Sequence, residues 1–88
     1  MRIEIDQLEP EELEELDVFS WPVWERDEEK FEWYYDKTEQ CYIVSGEATI
    51  VSEFETVTIK SGDFVIFPAG LECVWDIQSY ITKHYTFE

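Results

Sequence analysis

Glycine, proline, histidine, cysteine and basic residues are all scarce in this chain. It has three Gly, three Pro, one His, two Cys and six Lys plus Arg in 88 residues. Each shortage closes off a class of function. A single histidine, His84, excludes a three-histidine metal site within one chain. Two cysteines, Cys41 and Cys73, are too few for a disulfide scaffold or a four-cysteine zinc site, and free reduced thiols are expected. Six basic residues against 22 acidic ones leave a formal net charge of −16. Such a field repels phosphate backbones and anionic membranes, so neither nucleic acid nor a membrane surface is an expected partner. The acid excess reads instead as a solubility device. No apolar run approaches the ~20 residues a spanning helix needs. Met1 to Asp6 lacks a basic stretch followed by an apolar run, so it does not read as a secretory signal, and a cytoplasmic location is expected.

Aromatic side chains and alternating segments are present instead. Four Trp, five Tyr and six Phe make 17% of the chain. A chain this short buries only about 60–65% of its unfolded surface, so its core must be efficient. Each buried aromatic removes roughly 150–250 Å² from water. The length fits one domain, 1–88, with no room for a second. Met1 to Asp6 alternates as a short edge strand would. Leu8 to Leu16 reads as a short helix, with Pro10 in its first turn and Leu13 and Leu16 sharing a face. Phe19 to Trp24 runs extended, and Pro22 marks it as an edge or connector. Period-two alternation then predicts strands at about 30–35, 39–45, 48–52, 56–59, 64–67, 73–77 and 81–86. Turns are expected at Ser45-Gly46-Glu47, Lys60-Ser61-Gly62-Asp63 and Pro68-Ala69-Gly70, because Gly and Pro fix sharp corners.

The three glycines belong to one frame. Glu39 is followed by six residues and Gly46; Gly62 by five residues, Pro68-Ala69-Gly70, two more residues and Cys73. This spacing resembles the two signature motifs of the cupin superfamily, whose members are double-sheet jelly-roll barrels. The frame extends over about 21–85. The resemblance implies an all-β, cupin-type double-stranded β-helix with one short N-terminal helix. It also implies that the faces bearing Trp33 and Tyr35, Glu39 and Cys41, and Cys73 and Trp75 look into one cavity. In the superfamily the positions of Trp33, Tyr35, Glu39 and Cys73 hold a metal through two histidines, a glutamate and a third histidine. Here only the glutamate is kept, and no metal or other cofactor is expected. Within the superfamily, Trp33-Tyr34-Tyr35 and Phe67-Pro68-Ala69-Gly70 look like the small single-domain group related to ureidoglycine aminohydrolase and to the ethanolamine-utilisation cupin.

Glu39 is the leading candidate for chemistry. A carboxylate among Trp33, Tyr35 and Trp75 is desolvated, which favours its neutral form and suits a general acid or base. Cys73 reads as a buried small hydrophobe, with a nucleophilic role opposed by the acidic surroundings. Lys83 and His84 have opposite parity, so at most one of them faces inward; an inward Lys83 could neutralise Glu39, but most lysines are solvated. The leading expectation is a metal-free cupin, by family habit a homodimer. Its barrel cavity binds a small organic ligand through Trp33, Tyr35, Glu39, Cys73 and Trp75. The alternative is an enzyme resembling ureidoglycine aminohydrolase that uses Glu39 as acid, base or metal ligand. A third reading has exposed Trp21 and Trp24 pairing with another subunit.

Overall fold

The computed structural model describes all 88 residues. Seven strands run antiparallel: β1 (Glu4–Asp6), β2 (Val23–Arg26), β3 (Lys30–Tyr34), β4 (Glu39–Val51), β5 (Thr56–Lys60), β6 (Phe64–Phe67) and β7 (Glu72–Phe87). One helix, α1 (Pro10–Glu15), and a 3-10 turn at Val18–Ser20 precede β2. The architecture is the all-β jelly roll with a short N-terminal helix that the motif frame implied.

Two long strands form the spine. β4 and β7 pair along nearly their whole length. The first half of β4 carries β6 on its other edge, and β6 carries β1. The second half of β4 carries β5. The last part of β7 carries β2, and its first part carries β3. The chain therefore makes two sheets that share β4 and β7 across a bend. Their inner faces meet in a cluster of 14 buried residues that includes Cys41, Ile43, Ile50, Phe67, Trp75 and Ile81. Alternation along β4, buried at Glu39, Cys41 and Ile43, is what a half-buried strand dictates. No helix is long and apolar enough to cross a membrane.

Three expectations about the backbone are corrected. Ser45-Gly46-Glu47 is a bulge inside β4 and does not end it: the register to β7 shifts between Ile43 and Ala48 while pairing continues. Gly46 sits at φ +93°, and a Cβ there would meet Tyr80 O and lie 2.6 Å from the Ile81 Cα, so the backbone of the paired strand β7 occupies the space. For the same reason the strands expected at 73–77 and 81–86 are one bent strand, β7. Phe19 lies in the 3-10 turn before the extended segment begins. The corners at Lys60–Asp63 and Pro68–Gly70 form as read, with Gly62 and Gly70 both at positive φ.

The N-terminal segment covers the outer face of the sheet. Pro10 opens α1, and Glu12 reaches back so that its Oε1 accepts from Glu9 N at 3.1 Å, closing a capping box. Leu13 packs with Val18 and Phe64, while Leu16 is exposed, so the two leucines do not share a buried face. Six residues make less than two turns, and the chain swings away into the 3-10 turn before Leu16 can reach the sheet.

Candidate functional site

The barrel opens to solvent through a cleft of about 250 Å³. Its floor is charged and its walls are aromatic. Glu39 begins β4 with an inward side chain that is 3% exposed. Lys83, on β7 and 5% exposed, donates from Nζ to Glu39 Oε2 at 2.8 Å. The Lys83 ammonium also sits 4.7 Å from the Trp75 ring centre, 4.8 Å from that of Trp24 and 5.9 Å from that of Phe67. These faces attract a cation through their quadrupoles. Carboxylate, ammonium and indole faces together replace the water that both charges lost on burial.

The walls lock one another in place. Tyr35 follows β3 and is pinned by its amide, which donates to Leu71 O at 2.9 Å. Its ring stacks on Phe67 at 4.8 Å, and its hydroxyl accepts from Trp75 Nε1 at 3.2 Å. That bond satisfies the indole's polar end inside the core. Phe31 stacks nearly parallel on Trp75 at 6.0 Å. Trp24 and Arg26 come from β2, and Tyr85 and Phe87 from the end of β7. At the mouth, the Arg26 guanidinium lies 4.7 Å from the Phe31 ring centre and 5.2 Å from that of Trp24.

Burial and the nearby Glu39 carboxylate hold the Tyr35 hydroxyl well above its ordinary range. Burial pushes the Cys41 thiol up to about 12 and the Cys73 thiol up to about 11, against the pull of the Lys83 ammonium. Both cysteines are free, buried, protonated thiols at neutral pH.

The structure brings Trp33, Tyr35, Glu39 and Trp75 to one cleft. Trp33 stands at its mouth, 49% exposed, where an inward position was expected. β3 has paired strand on one side only, so its outer end meets solvent. Cys73 is corrected: it does not line this cleft. It is buried beside a second, more open groove of about 900 Å³ bordered by Trp33, Tyr34, Val51 and Phe54. Trp24 is a cleft wall and Trp21 packs on Phe64, so neither is the free surface aromatic that subunit pairing required. The expected lone carboxylate is also corrected, because Glu39 has a buried counter-charge in Lys83.

In the sequence Lys83 reads as one more solvated lysine, Trp24 reads as an exposed aromatic, and no signal points to Arg26. The signal for Lys83 was parity: Cys73, Trp75, Ile77, Ile81 and Lys83 are all inward on one continuous strand. His84 consequently faces outward, with Nδ1 3.0 Å from Trp21 O and its ring 5.5 Å from that of Phe19.

The residues at the metal-ligand positions do not fit a metal centre. Trp33 offers no lone pair, the Tyr35 hydroxyl and Cys73 thiol are held protonated, and an ammonium holds the Glu39 carboxylate. His84, the remaining nitrogen donor, is on the other face. No three His, Cys, Asp or Glu side chains gather closely enough to hold a metal ion.

Comparison with known proteins places this geometry. The model of a family described as the EutQ-like cupin domain matches residues 13–85. A DUF861 family protein from Thermotoga maritima is 40% identical and superposes with a TM-score of 0.97, covering 99% of this chain and 100% of its own. The EutQ protein of Clostridium difficile is 21% identical with a TM-score of 0.68, covering 97% of this chain and 66% of its own. A putative ethanolamine utilization protein from Salmonella typhimurium is 19% identical with a TM-score of 0.67, covering 99% and 69%. These last two likenesses show the fold alone. No curated protein matches the chain.

Proposed function

The chain belongs to the EutQ-like cupin family, and from that footing we propose that it is a metal-free, small-molecule-binding cupin whose ligand enters the aromatic cleft above Glu39 and Lys83. The observation that carries this reading is the buried ion pair at the cleft floor. Replacing a buried ion pair by apolar residues of similar size is often neutral or stabilising, by about 1–4 kcal/mol. A pair retained at the floor of an accessible, aromatic-walled cleft is placed to anchor a polar group. Pockets for drug-sized ligands span about 300–1,000 Å³, so a cleft of about 250 Å³ suits something smaller. Free buried thiols accord with a reducing, cytoplasmic setting. The open edge of β3, with exposed Trp33 and Tyr34 beside the larger groove, accords with a homodimer through that face.

Native mass spectrometry of freshly purified protein, with and without a library of small organic fragments, tests the reading. The expected result is a co-purified or added small molecule whose adduct is lost on Trp24→Ala at unchanged fold. A protein that takes up nothing, and whose indole signals move with no fragment, refutes it. The same spectra report the subunit count.

A second reading has one observation in its favour: a proton donor and an acceptor, Lys83 Nζ and Glu39 Oε2, line the cleft 2.8 Å apart. An acid–base enzyme built on that pair loses turnover in Glu39→Gln while ligand binding persists. The finer likeness to ureidoglycine aminohydrolase rests on Trp33-Tyr34-Tyr35 and Phe67-Pro68-Ala69-Gly70 alone. Its metal-dependent form requires Glu39 to exchange Lys83 for a metal ion.

A further inference from the structure

The charged groups of the cleft are Arg26, Lys83 and Glu39, and every other lining residue is aromatic. Glu39 is already engaged by Lys83, which also fills the space before Trp24 and Trp75 where a cationic ligand would sit. An incoming cation would therefore have to displace an ammonium that is ion-paired and ringed by aromatic faces. The cleft is left with one uncompensated positive charge among its lining residues, in a chain whose net charge is −16. That charge is the Arg26 guanidinium. Its central carbon lies over the Phe31 and Trp24 rings, and its N–H groups are the donors the cleft offers a ligand at this end. Its one ion-pair contact is with Glu29, at 3.7 Å between two half-exposed side chains, a distance and exposure at which such a pair contributes little.

Resting on the small-molecule reading above, we infer that the cleft selects a small planar monoanion, an aromatic or conjugated carboxylate. Its carboxylate takes the N–H groups of Arg26 at the mouth, and its ring lies against the indoles of Trp24 and Trp33, above the buried Trp75. A carboxylate matches the guanidinium fork in a bidentate way that a neutral amide does not. A flat ring matches walls built from aromatic faces and edges. At the inner end, Lys83 keeps two ammonium hydrogens beyond the one given to Glu39, and the Tyr35 hydroxyl, accepting from Trp75, keeps its own proton. An acceptor on the far side of the ring meets donors there.

The four tryptophans supply the test. Trp24, Trp33 and Trp75 line the cleft, while Trp21 packs against Phe64 on the outer face and serves as an internal control. The full-length protein is titrated at fixed ionic strength with benzoate, benzamide and benzylamine, and the indole N–H signals are followed by NMR. Benzoate is expected to shift the three cleft indoles and leave Trp21 in place. Benzamide should bind roughly 10- to 100-fold more weakly, the scale of a hydrogen bond to a charged partner. Arg26→Gln should erase that preference, so that benzoate binds no better than benzamide measured in the same variant. Equal binding of benzoate and benzamide, or Arg26→Gln without effect on benzoate, overturns the anion assignment while cleft binding itself stands. Benzylamine binding best reverses it. Cleft indoles that move with none of the three probes also overturn it, and the wider binding reading is then decided by native mass spectrometry with the fragment library.

Discussion

Lys83 faces Ile43 across the β4–β7 ladder, yet its ammonium is bonded to Glu39, whose own cross-strand neighbour is Phe87. The lysine stem therefore runs along the inner face of the sheet and carries its charge toward the cleft. The apolar stem packs in the barrel while its head meets carboxylate and indole faces, a buried version of the division that long basic side chains make at surfaces. The pair is thus part of the cleft floor and part of the core at once.

Lys83→Met tests that double role in stability. It leaves the Glu39 charge buried without a partner, for which about 3–5 kcal/mol of destabilisation is the expected scale. The double variant Glu39→Leu with Lys83→Met removes both charges and should recover most of that loss. Denaturant unfolding of the wild type, each single variant and the double gives the coupling between the two sites. A loss below about 1 kcal/mol in Lys83→Met, or a double variant no better than the single, contradicts the buried pairing.

The strand pattern and corners were legible because they depend on local chemistry. Alternation put Glu39 and Cys41 on one face, and Gly62 and Gly70 marked sharp corners. The continuity of β4 and β7 was not legible, since Gly46 reads as a turn until the paired strand occupies the space beside it. That break cost Lys83 its place: the odd-numbered parity of Cys73, Trp75 and Ile77 carries through to Ile81 and Lys83 only if the strand does not stop. Trp24 and Arg26 enter the cleft through the pairing of β2 with the far end of β7, a long-range choice that no local pattern announces. Trp33 kept its predicted parity and still met solvent, because an edge strand has no neighbour to cover it.

Alkaline pH should weaken the fold. Burial is the main cause that raises Tyr35, Cys41 and Cys73, and the Glu39 charge adds to it. The cysteines ionise near 9.0 when unperturbed, but near 12 and 11 in the folded chain. Between those values the folded protein holds more protons than the unfolded one, so stability falls as pH rises. Their contribution is complete below about pH 9 and is lost on the way to about 12; Tyr35 adds the same sign above 10. Urea midpoints from pH 7 to 10.5 should be level at first and then drop, with a shallower drop in Cys41→Ala/Cys73→Ala. The same slope in that variant as in the wild type counts against buried thiols as the cause. Native thiols should also resist alkylation at pH 8 until the chain is unfolded.

Two glycines with nearly the same backbone angle should respond very differently to alanine. Gly46 has φ +93° and Gly62 has φ +94°. Either substitution places an L side chain in a left-handed region, at a cost of roughly 1–2 kcal/mol. At Gly62 nothing lies within 4 Å of the new Cβ, so that strain is the whole effect. At Gly46 the new carbon meets the Tyr80 carbonyl oxygen and the Ile81 Cα, which are backbone atoms of β7 and cannot rotate aside. The bulge and the β4–β7 ladder must then part locally, in the middle of the two-strand spine. Gly46→Ala should therefore lower the unfolding free energy by several kcal/mol more than the roughly 1–2 kcal/mol of Gly62→Ala, or fail to fold. Thermal and urea unfolding of both variants measure the gap. If the two losses agree within about 0.5 kcal/mol, the paired strands do not approach as closely at Gly46 as the contacts require.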